Sequence, residues 1–92
     1  MDAPTFFSNK KATDCERCEE CGLASKACDD ACDDAVPFDT AFPQDCLPLV
    51  HDGEVCLRAL FHASCDDYRA FMSDVAPAVP SECNFCPARG TP

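Results

Sequence analysis

Asp14–Cys32 reads D-C-E-R-C-E-E-C-G-L-A-S-K-A-C-D-D-A-C and holds five of the chain's ten cysteines: Cys15, Cys18, Cys21, Cys28 and Cys32. The stretch is either a ligand set for a metal or half of a disulfide framework, and that choice decides the fold. Cys15-x2-Cys18-x2-Cys21 resembles the start of a bacterial iron–sulfur run. Such a run continues with a fourth Cys and a Pro, but position 25 is Ser and the only Cys-Pro is the distant Cys86-Pro87. The pairs Cys15/Cys18 and Cys83/Cys86 have zinc-site spacing. The first pair, however, sits among glutamates in a helical pattern, and six further cysteines would stay unexplained. A Cu(I) store built from thiolates would want C-x3-C repeats on several helices, and Cys28/Cys32 alone fits. An even number of cysteines in a short chain points instead to five disulfides.

The same stretch reads as helix. Thr13 and Glu16 have capping-box spacing, so the first helix is expected to begin at Thr13. Asp14, Glu16, Glu19 and Glu20 would then suit the positive end of its dipole. Cys15, Cys18, Cys21 or Gly22, Ser25, Cys28 and Cys32 recur at helical spacing and mark one small-residue face. Gly22 weakens the middle by about 1 kcal/mol against Ala, which allows a kink or two shorter helices. Asp29, Asp30, Asp33 and Asp34 read as a solvated acidic face with fraying near Asp33. No D-x-D-x-D-G loop is present to make them a calcium site.

Upstream, residues 1–12 (MDAPTFFSNKKA) read as a short arm, with Pro4 set against an early helix and one or both of Phe6 and Phe7 pinning the arm to the domain, the alternative being an exposed aromatic contact for a partner. Downstream, residues 35–53 form a connector carrying Pro37, Pro43 and Pro48. A short helix over Gln44–Cys46 is allowed there, with Phe38 and Phe42 capping the core and Cys46 tying the connection down. Asp52-Gly53 is a turn signal beside a surface His51. A second helix is predicted over about Glu54–Ala63, with Val55, Cys56, Leu57, Leu60 and Phe61 giving it a broad apolar character. A third is predicted from about Cys65 to Ala76. Ser64 and Asp67 have capping spacing there, Tyr68, Phe71, Met72 and Val75 recur at i, i+3, i+4 and i+7, and Pro77 and Pro80 end it. The tail SECNFCPARGTP needs Cys83 and Cys86 as straps to be ordered.

Composition narrows the function classes. Ninety-two residues form one small domain, and at this size staples supplement a limited core. The net charge of −10 and the pI near 4.2 argue against a basic nucleic-acid surface and against anionic membranes. No apolar run approaches the roughly 20 residues of a membrane span. No signal peptide is visible at M-D-A-P-T-F-F, so a secreted product would be the mature chain, with Met1 a remnant before Asp2. No thioredoxin-type βαβ context surrounds a C-x-x-C, no Cys/His pairing has a nucleophile signature, and no carboxylate stands at a distinctive apolar position. Catalysis, a resident metal and a cofactor are therefore not expected.

Geometry restricts the pairing. Cys56 and Cys65 lie about 13 Å apart at helical rise, beyond the roughly 7 Å Cα separation that a disulfide tolerates. Five cysteines in the Asp14–Cys32 stretch is an odd number, so at least one bond must leave it. Most are expected to leave, tying the first helix to the other helices, the connector and the tail.

Gly53-Glu-Val-Cys56-Leu-Arg-Ala-Leu-Phe-His-Ala-Ser-Cys65 has C-x8-C spacing, a C-x-R-A start, a central aromatic and a closing Ser-Cys. It resembles the last-helix region of the cold-water members of the Euplotes ciliate mating pheromones. The arm with Pro4 and Phe6-Phe7 is similar to their acidic, aromatic arm. About a third of the chain carries the resemblance. The chain is longer than the best-known members, has ten cysteines and continues beyond Cys65. The resemblance implies a three-helix bundle and an extracellular signal that binds a cell-surface receptor and can self-associate.

The expectation is thus an all-α, small disulfide-rich bundle of about three helices with long loops. Residues 1–12 form its arm and 13–92 a single stapled domain. Cys15, Cys18, Cys21, Cys28, Cys32, Cys46, Cys56, Cys65, Cys83 and Cys86 all enter disulfides, and no receptor-facing residue is assigned. A secreted, water-borne, pheromone-like signal is the leading function. A secreted Cys-rich effector, toxin or inhibitor (with 35–45 as a reactive loop) is the alternative, and a Cys-based metal-binding protein the second.

Overall fold

A computed structural model describes residues 1–86; the end of the predicted tail, 87–92, lies outside them. Among the described residues there are four α-helices and no strand: α1 (Ala3–Cys21), α2 (Lys26–Ala31), α3 (Val50–His62) and α4 (Cys65–Phe71). A single 3-10 turn, Ser81–Cys83, follows. Five disulfides staple them into the small helical bundle that the sequence predicts.

The N-terminal arm is itself helix. Asp2 is the N-cap and its Oδ2 accepts from the Thr5 backbone N–H at 3.2 Å. Pro4 falls in the first turn, where a missing N–H costs no helical bond and the ring's fixed φ suits the helix. Thr13 and Glu16 are therefore interior residues, and the expected capping box is not formed. The buried stripe of α1 is Ala3, Phe6, Asp14 and Cys18. A charged residue within that stripe hides the periodicity from a hydrophobic reading. Phe6 does pin this segment, being 5% exposed and part of the core.

Gly22 ends α1 rather than weakening its middle. It takes the left-handed conformation at φ 64°, and the Leu23 N–H reaches the Cys18 carbonyl at 2.9 Å, a Schellman stop. The chain then turns back as α2, so the first predicted helix is two helices. At six residues α2 is too short to stand alone. Other segments hold both its ends. Ser25 Oγ accepts from the Cys28 N–H at 3.0 Å, and the distant Asp74 carboxylate accepts from the Lys26 and Ala27 N–H groups, each at 2.9 Å. At the other end Lys11 Nζ donates to the carbonyls of Asp30, Ala31 and Asp33 at 3.0, 3.0 and 2.7 Å.

The next helix, α3, starts four residues earlier than predicted, since Asp52 Oδ2 accepts from the Leu49 N–H at 2.8 Å across the first turn. Asp52-Gly53 is thus inside a helix, not a turn. Gly53 faces α1, and a Cβ there would overlap the Met1 sulfur and come within 3.1 Å of the Phe6 ring. The Gln44–Cys46 helix is absent; a turn stands there, with the Cys46 N–H bonded to the Pro43 carbonyl. Helix α4 begins where predicted, Ser64 Oγ accepting from the Asp67 N–H at 3.1 Å, but ends at Phe71, not Ala76. Ser73 Oγ bonds the backbone of Val75, and Asp74 has swung to cap α2. Val75, predicted for the core, is 82% exposed.

The core is Phe6, Cys18, Cys28, Cys56, Leu60, Tyr68 and Met72. Phe42 of the connector and Phe85 of the tail close it beside Phe6 and Phe7, with ring centroids 5.1–6.1 Å apart. Phe38, expected to cap the core, is instead 39% exposed.

Candidate functional site

The ten cysteines form the pairs Cys15–Cys32, Cys18–Cys28, Cys21–Cys65, Cys46–Cys86 and Cys56–Cys83, with Cα separations of 4.5–5.8 Å. Cys56 and Cys65 are not paired to each other, in line with their helical separation. The expectation that most bonds leave the Asp14–Cys32 stretch is overturned. Two close within it and one, Cys21–Cys65, leaves. The reason is the reversal at Gly22, which sets α2 antiparallel to α1 and brings Cys15 opposite Cys32 and Cys18 opposite Cys28. The zinc reading required Cys15, Cys18, Cys83 and Cys86 to converge, and they are bonded to four different partners. Among the described residues the one metal-like grouping is Cys15, Glu19 and Cys32. Its two sulfurs are joined to each other, so no thiolate is left there to ligate.

A buried polar line crosses from α1 to α4. The Asp14 carboxylate is 6% exposed and accepts from Tyr68 Oη at 2.5 Å and from Lys10 Nζ at 2.8 Å. The Arg17 guanidinium lies 5.3 Å from the centre of the Tyr68 ring and donates to Glu20 and to the Ala63 carbonyl at the end of α3. Burial, then the Asp14 hydrogen bond and charge, raise the Tyr68 pKa well above that of an ordinary tyrosine. The phenol thus stays a donor, and Tyr68, fully buried, fastens helices rather than meeting a solvent-borne reactant. On the surface, the Asp30 hydrogen bond and charge raise the Lys26 pKa.

The acidic quartet bears out its reading as solvated: Asp29, Asp33 and Asp34 are exposed and Asp30 half-exposed, paired with Lys26 at 3.0 Å. His51 and His62 are both exposed at opposite ends of α3.

What sequence reasoning missed is the exposed apolar trio Leu47, Leu49 and Val50, set around a buried Pro48. Leu47 is 92%, Leu49 68% and Val50 60% exposed. The run enters α3 directly after the Cys46 staple, and Asp52 fixes its Leu49 N–H. Asp45, Asp52 and Glu54 flank it. The available signal was its composition, three aliphatic residues outside any amphipathic period. Such surface marks interaction sites more often than scattered single residues do.

No family model matches the chain, and neither a curated protein nor a solved structure matches it. No helix among the described residues is long and apolar enough to cross a membrane.

Proposed function

We propose that the chain is a secreted, water-borne, pheromone-like signal that acts by binding a cell-surface receptor. Five disulfides in 92 residues are compatible with an extracellular protein. The observation that carries the reading is the Leu47–Val50 run. It is an exposed apolar edge on a backbone pinned by a disulfide and a helix start, so little ordering entropy is lost on docking. Its acidic flanks favour a receptor surface with an apolar centre and basic rim. Self-association through the same edge would oppose like charges.

The test is saturable binding of the labelled, oxidised protein to cells of the species that makes it, competed by unlabelled protein. Leu47→Ser with Leu49→Ser should weaken binding at least tenfold, and the disulfide count and unfolding midpoint should stay unchanged. Absence of saturable binding, or binding indifferent to the pair of substitutions, overturns the reading.

A further inference from the structure

Beside the aromatic cluster lies an open cleft of about 470 Å³, walled by Phe6, Phe7, Phe42 and Phe85. The Cys56–Cys83 disulfide forms part of its lining and Val79, 62% exposed, stands at its rim. Its volume lies within the roughly 300–1,000 Å³ of small-molecule sites, and its make-up, mostly apolar with a few polar groups, is also theirs.

Two charged side chains line it, Lys10 and Asp39. They are not equivalent. The Lys10 ammonium is 2.8 Å from the Asp14 carboxylate, so its charge is already balanced. Asp39 is exposed and makes no ion pair or hydrogen bond among the described residues. Among the described residues the net charge at the cleft is therefore negative, within a chain of net charge −10. Phenyl faces also attract cations through their quadrupole. An anionic amphiphile would meet repulsion at this mouth and a cationic one attraction, while both would bury their apolar body equally.

We propose that this cleft binds a small amphipathic ammonium compound, its alkyl or aryl body against Phe42 and Phe85 and its ammonium group at Asp39. The proposal is independent of the receptor reading, since the Leu47–Val50 run does not line the cleft.

The test is a calorimetric and NMR titration of the full oxidised chain with three ligands of one shape: phenylbutylammonium, phenylbutanol and phenylbutyrate. All three should shift the same phenylalanine ring signals, with the ammonium compound about tenfold tighter than the carboxylate, as expected for one unscreened opposite charge. Asp39→Asn should bring the two within about twofold. Val79→Arg, at an exposed rim position that carries no core packing, should abolish ammonium binding while the disulfides and helix content persist. Carboxylate binding as tight as ammonium binding overturns the proposal. So does a lack of saturable binding by all three, or ammonium binding that Val79→Arg leaves intact, which would mark attraction to the acidic surface at large.

Discussion

The α1–α2 hairpin holds both ends of two disulfides and one end of a third, while the loops 36–49 and 73–86 hold both ends of one and one end of another, and the two regions are held differently. In the hairpin the staples are nested and local, spanning 17 and 10 residues, and they reinforce side-chain caps from Lys11, Ser25 and Asp74. In the loops the staples span 40 and 27 residues, and beneath them lie aromatic contacts and one short 3-10 turn, with almost no regular hydrogen bonding. The hairpin would keep much of its shape without a given bond; the loops would not. Both candidate binding features draw mainly on the loops: Leu47 and Leu49 lie in them, and Asp39, Phe42, Val79 and Phe85 line the cleft opposite Phe6 and Phe7 of α1. Surface that depends least on regular structure is free to vary while the hairpin preserves the scaffold.

The largest test of that contrast removes one staple from each side. Cys56→Ala with Cys83→Ala frees the arms 46–56 and 83–86 inside the remaining Cys46–Cys86 bond, worth about 3 kcal/mol of chain entropy, and disturbs a fully buried sulfur. It is expected to cost about 4–5 kcal/mol by chain entropy plus lost packing. Cys15→Ala with Cys32→Ala should cost only about 2 kcal/mol, because Cys18–Cys28 already closes most of its loop and the outer bond adds only the arms 15–18 and 28–32. Guanidinium denaturation gives both values. Hydrogen exchange should show the first variant losing protection in 73–86 and the second fraying only at the hairpin's open end. Equal costs would break the comparison.

Next in size is the polar line that joins the hairpin to α4. Tyr68→Phe leaves a buried Asp14 oxygen without its 2.5 Å donor and should cost about 2 kcal/mol. It also carries a pH signature. The folded pKa of Tyr68 is raised above the unfolded value near 10, so the unfolded chain gives up the proton first. Stability is full below about pH 10 and falls as the pH rises above it. Tyr68 is the only tyrosine, so tyrosinate absorbance in an alkaline titration should appear together with unfolding. Tyr68→Phe should flatten the alkaline stability loss. Tyrosinate formed in a still-folded chain would contradict the buried hydrogen bond.

Much of this was legible in the sequence. Helical class followed from periodicity and scarce β-branched residues, the Ser64 cap from its spacing to Asp67, and the disulfide framework from an even number of cysteines. The extent of α1 was not legible, because Lys10 and Asp14 interrupt its buried face. They are tolerated there only since Tyr68, more than fifty residues away in sequence, completes their hydrogen bonding. Asp74 is a similar case: its local pattern favours a longer α4, and a contact to α2 outweighs it. The hairpin pairing left a trace that was open to reading. Cys15/Cys18 and Cys28/Cys32 are two one-face pairs mirrored about a helix stop at Gly22 and a start at Ser25. The Leu47–Val50 edge had no secondary-structure signal, since exposure there is a result of tertiary placement.

Smaller effects test whether the caps on α2 share the load with its staples. Asp74→Ala removes two bonds at 2.9 Å and should cost about 1 kcal/mol, while Lys11→Met should cost about 0.5–1 kcal/mol. With Cys15–Cys32 also absent, each cost should grow, because the disulfide otherwise holds α2 in place. A double-mutant cycle measures that coupling. Strict additivity would mean that staple and cap act independently.

The smallest effect separates two glycines, one at the turn of the hairpin and one in α3 where it meets α1. Gly22 has open space around its Cα but sits at φ 64°. Gly22→Ala should therefore cost about 1 kcal/mol from backbone strain alone. Gly53 has ordinary helical φ but little space, against the Met1 sulfur and the Phe6 ring. Gly53→Ala gains about 1 kcal/mol of helix propensity. It loses a similar amount by crowding Phe6, since Met1 is a flexible side chain that can move aside while the ring belongs to the core. The net change should lie within about 0.5 kcal/mol of zero. Gly53→Ala with Met1→Ala should be more stable than Met1→Ala alone if the Met1 sulfur is the main obstacle. If the double variant gains nothing, the Phe6 ring sets the limit, and α1 and α3 are then packed at their closest approach through a side chain in the core.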